Sequence, residues 1–264
     1  MPRYIPQWLS PIVEELELNR PSLVTASDLE EIIRKTGVNA QSYTIADRLK
    51  KHGWLLETTQ RGVWEFSPAE NAGAYSSYDP LLPIKAFSLA HTNCAAALTM
   101  QTAAWALGLA DRVPACIEVC FSTRPNVKIP REVNASVFQW VLEPLEEKGF
   151  ACLRPESIIV QMAQKPTAVR SWESTVEWLS DVAYEIDSCR ILCELENRST
   201  SVWARTGYLL SGMRPDVSRE IEKRFTPTSK TRFGARTKAL RNSERWMISD
   251  TILPFDPEKL EALR

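Results

Sequence analysis

Apolar residues recur at helical spacing through Trp8, Ile12, Val13 and Leu16, and the run stops at Asn19-Arg20-Pro21. This predicts a first helix opening after Pro6. Ser22-Leu23-Val24-Thr25 is short and β-prone. Asp28-Leu29-Glu30-Glu31-Ile32-Ile33 predicts a second helix, with Ser27 and Glu30 spaced as a capping box and Gly37 closing the end. A short turn then leads to Asn39, a suitable cap for a third helix ending at His52-Gly53. Residues 54–57 and 63–66 are β-prone and flank a polar turn containing Gly62, which predicts a hairpin. A small core is expected around Trp8, Leu29, Ile45, Leu49 and Trp54.

Residues 67–79 are poor in apolar side chains and contain Pro, Gly, Ser and Asn, so they are expected to form a linker. Residues 86–110 hold no Asp, Glu, Lys or Arg, but His91, Thr92, Asn93, Thr99, Gln101 and Thr102 interrupt them. Two Ala-rich helices broken near Thr92-Asn93 are expected there in preference to a membrane span. Beyond them come a β-prone run at 115–121, an irregular stretch at 122–134, and strands near 137–142 and 150–153. Helices are predicted near 156–164, 173–185, 188–197, 200–212 and 215–224. Short β-prone pieces follow at Arg232-Phe233 and Trp246-Met247-Ile248. The order predicts an α+β chain: a winged helix-turn-helix over 1–66, the linker over 67–79, and a larger mixed α/β domain over 80–264.

Hydrophobic residues at 44% and charged residues at 25% are those of a globular protein, and nine Trp supply large apolar surfaces for a core. The net charge of −1 is unevenly spread. Residues 1–66 carry 8 basic and 9 acidic groups, residues 67–197 carry 10 and 16, and residues 198–264 carry 14 and 8. The six cysteines form no CxxC pair and there are two histidines, so reduced buried cysteines, and no metal or cofactor, are expected. Met1-Pro2-Arg3-Tyr4 does not open a signal peptide, which gives the expectation of a cytoplasmic protein.

Catalytic patterns find little support. Gly207 and Gly212 have the spacing of a phosphate loop, but Met213 and Arg214 stand where Lys and Ser/Thr are required. Glu146-Glu147-Lys148 resembles part of a nuclease set, yet reads as a charged helix end without an Asp partner. His52 closes the third helix and His91 lies in an Ala-rich helix, so no Ser/His or Cys/His machinery is expected. No enzyme is expected.

The third helix carries the most information. Ile45, Ala46 and Leu49 mark a buried face, while Gln41, Thr44, Arg48 and Lys51 align on the other, with Ser42 beside them. Gln and Arg pair bidentately with adenine and guanine edges, and Lys51 suits a phosphate. Lys50, and Arg61 at the hairpin tip, are placed to reach phosphates as well. The same pattern fits a solvated amphipathic helix in an interaction domain that never touches DNA. The near-neutral charge of residues 1–66 counts against strong nonspecific binding.

Four stretches together resemble the AbiEi-type antitoxins of type IV toxin–antitoxin (abortive infection) systems. Ile45-Ala46-Asp47-Arg48-Leu49-Lys50-Lys51-His52-Gly53-Trp54-Leu55 with Arg61-Gly62-Val63-Trp64 looks like the recognition helix and wing of that family. Ala103-Ala104-Trp105-Ala106-Leu107-Gly108-Leu109-Ala110 and Val202-Trp203-Ala204-Arg205-Thr206-Gly207-Tyr208-Leu209-Leu210 are similar to two of its second-domain helices. Phe233-Gly234-Ala235-Arg236 with Arg245-Trp246-Met247-Ile248 looks like its basic C-terminal strands. Residues 122–170 match little. The resemblance implies repression of its own operon through double-stranded operator DNA, neutralisation of a nucleotidyltransferase-type toxin, and a homo-oligomer on DNA. It makes Arg205, Arg236, Lys238 and Arg241 candidates for partner contact, within a segment 198–245 that holds 12 basic and 4 acidic residues. Gly207 and Tyr208 are expected to serve packing, and Arg205 has a carboxylate as its alternative partner. A stand-alone winged-helix regulator, and a metal-dependent nucleic-acid enzyme with a winged-helix targeting domain, are the competing readings.

Overall fold

A computed structural model of the chain describes residues 5–71 and 76–260. The chain divides into two compact units, Met1–Ala95 with Pro125–Val133, and Ala96–Arg124 with Asn134–Arg264.

In the first unit a 3-10 turn leads into α1 (Ser10–Asn19), β1 (Leu23–Thr25), α2 (Ala26–Thr36), α3 (Ser42–Lys51), β2 (Leu55–Glu57), β3 (Val63–Phe66) and α4 (Leu82–Ala90). The strands lie in the order β1-β3-β2 and pair antiparallel. Leu55 faces Phe66 and Glu57 faces Trp64, so β2 and β3 form the expected hairpin. Gly62, at φ +77, supplies the left-handed residue that its turn requires. Ile12, Leu16, Leu29, Ile45, Leu49 and Trp54 meet in one buried cluster.

Local details differ from expectation for identifiable reasons. Trp8 is 46% exposed and Leu9 is buried in its place, because residues 7–9 form a 3-10 turn and break the helical phase. The capping box of α2 uses Thr25 and Asp28, each accepting the other's backbone N–H, and not Ser27 and Glu30. Glu30 instead accepts the Ser42 hydroxyl. The third helix starts at Ser42 with Gln41 as its N-cap, not at Asn39.

The helix α4, expected in the second domain, packs in the first unit, where Ala86 and Leu82 cluster with Leu23 and Val63. Of the expected linker 67–79, residues 72–75 lie outside the described residues. A fragment ending at residue 95 should therefore outlast one ending at residue 78 in urea. The apolar surface taken from water implies a difference of about 1–2 kcal/mol. Coincident unfolding transitions would show that α4 adds nothing to this unit.

The second unit opens with β4 (Ala96–Leu98), α5 (Met100–Ala106), β5 (Ile117–Phe121), β6 (Val133–Val137), β7 (Leu145–Glu147) and β8 (Phe150–Cys152). Five helices follow: α6 (Pro155–Gln164), α7 (Trp172–Tyr184), α8 (Ser188–Leu195), α9 (Thr200–Leu209) and α10 (Pro215–Arg224). The chain continues through β9 (Thr231–Phe233), β10 (Arg241–Ser243) and β11 (Ile248–Asp250). One sheet has the order β6-β5-β4-β8-β7 and the other β10-β11-β9. The Ala-rich stretch expected as helix therefore holds the central strand β4, where Ala97 and Leu98 are fully buried. Burial between strands on both sides outweighs the helix propensity of alanine.

Glu146-Glu147-Lys148 is not a helix end. Glu146 and Glu147 lie in β7, and Lys148 (φ 52) with Gly149 (φ 68) forms the two-residue turn into β8. Only the beginning of the strand expected at 137–142 exists, as the end of β6. The backbone N–H groups of Val141 and Leu142 donate to the buried Glu194 carboxylate instead (3.1 and 3.0 Å). At the centre of the unit, α6 is buried on all sides from Glu156 to Ala163, against α5, α7, α8 and α9. Among the described residues, no helix is long and apolar enough to cross a membrane.

Candidate nucleic-acid interface

Ile45, Ala46 and Leu49 anchor α3 in the core, and this orientation leaves Thr44, Arg48 and Lys51 exposed on a common face. Gln41 is exposed at the N-cap, and Arg61 is exposed in the β2–β3 turn. Among the described residues, Arg48, Lys51 and Arg61 form no ion pair. Their charges are available to phosphates or base edges.

Two residues of the predicted set sit differently. Ser42 is buried and its hydroxyl is committed to Glu30 (3.1 Å), so it joins α3 to α2 and does not face outward. Lys50 bridges Asp47 (2.9 Å) and Glu57 (3.0 Å), which ties α3 to the hairpin. The hydrogen bond to Asp47, then that to Glu57, raises its pKa and keeps it charged. Tyr43 was absent from the predicted set. It is half exposed, stands edge-on to Trp64 at 5.9 Å, and brings its hydroxyl to 3.2 Å from the place a Cβ on Gly62 would take. An aromatic side chain between two polar positions at a helix start was the available signal. Beside it, a groove of about 440 Å³ between α2 and the start of α3 is bordered by Glu30, Arg34 and Gln41.

The basic C-terminal tract separates into internal and outward-facing groups. The Arg205 guanidinium donates to the carbonyls of Arg232 (2.8 Å), Ala163 (3.3 Å) and Gln164 (3.4 Å), and burial lowers its pKa. Arg241 donates to the Asp250 carboxylate (2.6 Å) and to the carbonyls of Leu253 and Phe255. Both hold the fold together, and neither presents a free guanidinium to a partner. Arg214 is likewise held by the carbonyls of Ala183, Tyr184 and Ile186, and Arg245 by both oxygens of Glu222. Arg236 and Lys238, with Arg224, Lys230 and Arg232, are exposed and form no ion pair among the described residues.

The GxxxxG spacing has a packing explanation. Gly207 lies inside α9, and a Cβ there would stand 2.1 Å from the Trp246 ring; the Gly212 N–H donates to the Pro257 carbonyl (2.8 Å). His91 caps the end of α4 against Phe87, with ring centroids 4.8 Å apart. Burial pushes the Cys120 and Cys152 thiols up to about 12, so they remain protonated core residues. Among the described residues, no three His, Cys, Asp or Glu side chains group as metal ligands do.

Residues 95–212 match the AbiEi antitoxin C-terminal domain. The chain is also similar to the crystal structure of the RV2827C protein from Mycobacterium tuberculosis. The two are 25% identical with a TM-score of 0.75, over 95% of this chain and 94% of that one. No curated protein matches.

Proposed function

We propose that the chain is the antitoxin and autorepressor of a type IV toxin–antitoxin system. In this reading the first unit is a winged helix-turn-helix that binds the operator of its own genes, and the second counteracts a nucleotidyltransferase-type toxin. The match of residues 95–212 to the antitoxin domain carries the proposal. Helix, strand, helix, turn, helix and hairpin follow in the order of a winged helix, and α3 turns Gln41, Thr44, Arg48 and Lys51 outward, which supports the DNA-binding half. Lys50 and Ser42 serve the scaffold in this reading, and Tyr43 with Arg61 joins the contact surface. For the toxin, the exposed Arg236 and Lys238 are the proposed contacts, because a group that blocks a nucleotide site must offer positive charge where phosphates would lie.

Electrophoretic shift with DNA from upstream of the gene, against scrambled DNA across a salt series, tests the first half. Arg48→Ala and Gln41→Ala should each cost about 1–3 kcal/mol on operator and relax sequence preference, whereas Lys51→Ala should weaken operator and scrambled DNA alike. Wild-type operator affinity in all three variants would remove α3 as the reading helix. Co-expression with the neighbouring toxin tests the second half by growth rescue.

A further inference from the structure

Within the second unit, a recess of about 280 Å³ lies between the start of α5, β5 and the start of α7. Its walls are chemically two-sided. Met100, Val169 and Trp178 are apolar, while Glu118 and Arg170 carry opposite charges. Glu118 is only 6% exposed, and its Oε2 accepts the Gln101 N–H at 3.0 Å. The backbone N–H of Thr102 also favours its charged form. A carboxylate so deeply buried is costly to keep charged. Burial accordingly raises its pKa, against the weaker opposing effects of the Gln101 N–H, the Arg170 charge and the Thr102 N–H. Arg170 is exposed and forms no ion pair among the described residues, so its guanidinium is open to an anion. Trp178 is 3% exposed and its Nε1–H has no partner among the described residues. Met100 holds φ +49, a left-handed conformation that costs a non-glycine residue energy and tends to persist at binding sites.

We propose that this recess binds a free α-amino acid with an apolar side chain. The ammonium group meets Glu118, the carboxylate meets Arg170, and the side chain lies along Met100, Val169 and Trp178. Arg170 would repel a simple cation, and Glu118 would repel a simple anion. A guanine base needs both oxygens of a carboxylate for its paired N–H donors, and Gln101 already occupies one. A zwitterion satisfies both ends at once.

Isothermal titration of the full-length protein with L-leucine, L-methionine and L-phenylalanine tests the proposal, with the N-acetyl and amide forms of each as controls. At least one free amino acid should bind, and blocking either of its charged ends should abolish the signal. Arg170→Ala, which alters an exposed side chain, should weaken binding about tenfold or more. Glu118→Gln keeps an acceptor for the Gln101 N–H and removes the charge, and should abolish binding. If that variant fails to fold, the N-acetyl ligands make the same comparison on the wild-type protein. Absence of binding at millimolar concentration overturns the proposal, as does binding insensitive to Arg170→Ala or to N-acetylation. Binding of guanosine in place of the amino acids also overturns it.

Discussion

Replacing Arg241 by glutamate is expected to unfold the small sheet of the second unit and, with it, to abolish the proposed antitoxin activity. Asp250, on the neighbouring strand, is fully buried and accepts from Arg241, from the Tyr208 hydroxyl (3.3 Å) and from the backbone N–H groups of Ile252 and Leu253 (3.0 Å each). Burial, then the charge of Asp250, pushes the Tyr208 phenol up, so it stays protonated and remains a donor. Arg241→Glu would set a second carboxylate against Asp250 and strip two carbonyls of their donor. Removing one member of a buried pair costs about 3–5 kcal/mol, a large part of the stability of an ordinary domain. Urea denaturation measures it, and a wild-type midpoint would show that the pair holds nothing. Arg236→Glu with Lys238→Glu is the contrasting variant. Both side chains are exposed, so stability should stay within about 0.5 kcal/mol of wild type. If these two residues contact the toxin, rescue of growth should fall in the double variant while its unfolding curve stays unchanged. Full rescue would remove them from the contact surface. A loss of rescue in Arg241→Glu alone would report unfolding, not recognition.

Gly207→Ala should be nearly as damaging, although alanine ordinarily favours a helix by up to about 1 kcal/mol over glycine. The added Cβ would stand 2.1, 2.3 and 2.5 Å from Cη2, Cζ3 and Cζ2 of Trp246. The indole is fully buried and cannot easily move aside. Its Nε1 donates to the Ser211 hydroxyl (2.9 Å), and that hydroxyl donates to the Gly207 carbonyl (2.9 Å). Ser218 donates to the same carbonyl (3.0 Å), which fixes α10 to the same turn of α9. Overpacking against so constrained a ring implies a loss of about 3 kcal/mol. Combining Gly207→Ala with Trp246→Phe removes the obstructing part of the indole. The double variant should then lose less than the two single losses added together, which is the signature of a direct contact. Strict additivity, or a Gly207→Ala variant as stable as wild type, would rule out the proposed clash.

The elements with strong local patterns were legible in the amino-acid order: α1 to α3, the β2–β3 hairpin, and α6 to α10 all lie close to where periodicity and turn residues put them. The buried face of α3 was legible for the same reason, since Ile45, Ala46 and Leu49 recur at the helical period. The packing role of Gly207 and Tyr208 was likewise foreseen. The role of each cation was not. Arg205, Arg236, Lys238 and Arg241 are equivalent in a charge count, yet two of them are spent on carbonyls and a buried carboxylate that are distant in sequence or on another strand. Lys50 and Lys51 are adjacent, and only the position of Glu57 on the hairpin makes one of them a tie and leaves the other outward. The same holds for β4, whose alanines favour a helix locally and become a central strand only because β5 and β8 supply its hydrogen bonds. The recess around Glu118 joins residues some fifty or more positions apart in the chain, so no local spacing could announce it. Periodicity and capping are short-range and can be read along the chain. Partner choice by a charge, and strand formation by a neutral segment, depend on neighbours that only the folded chain brings near.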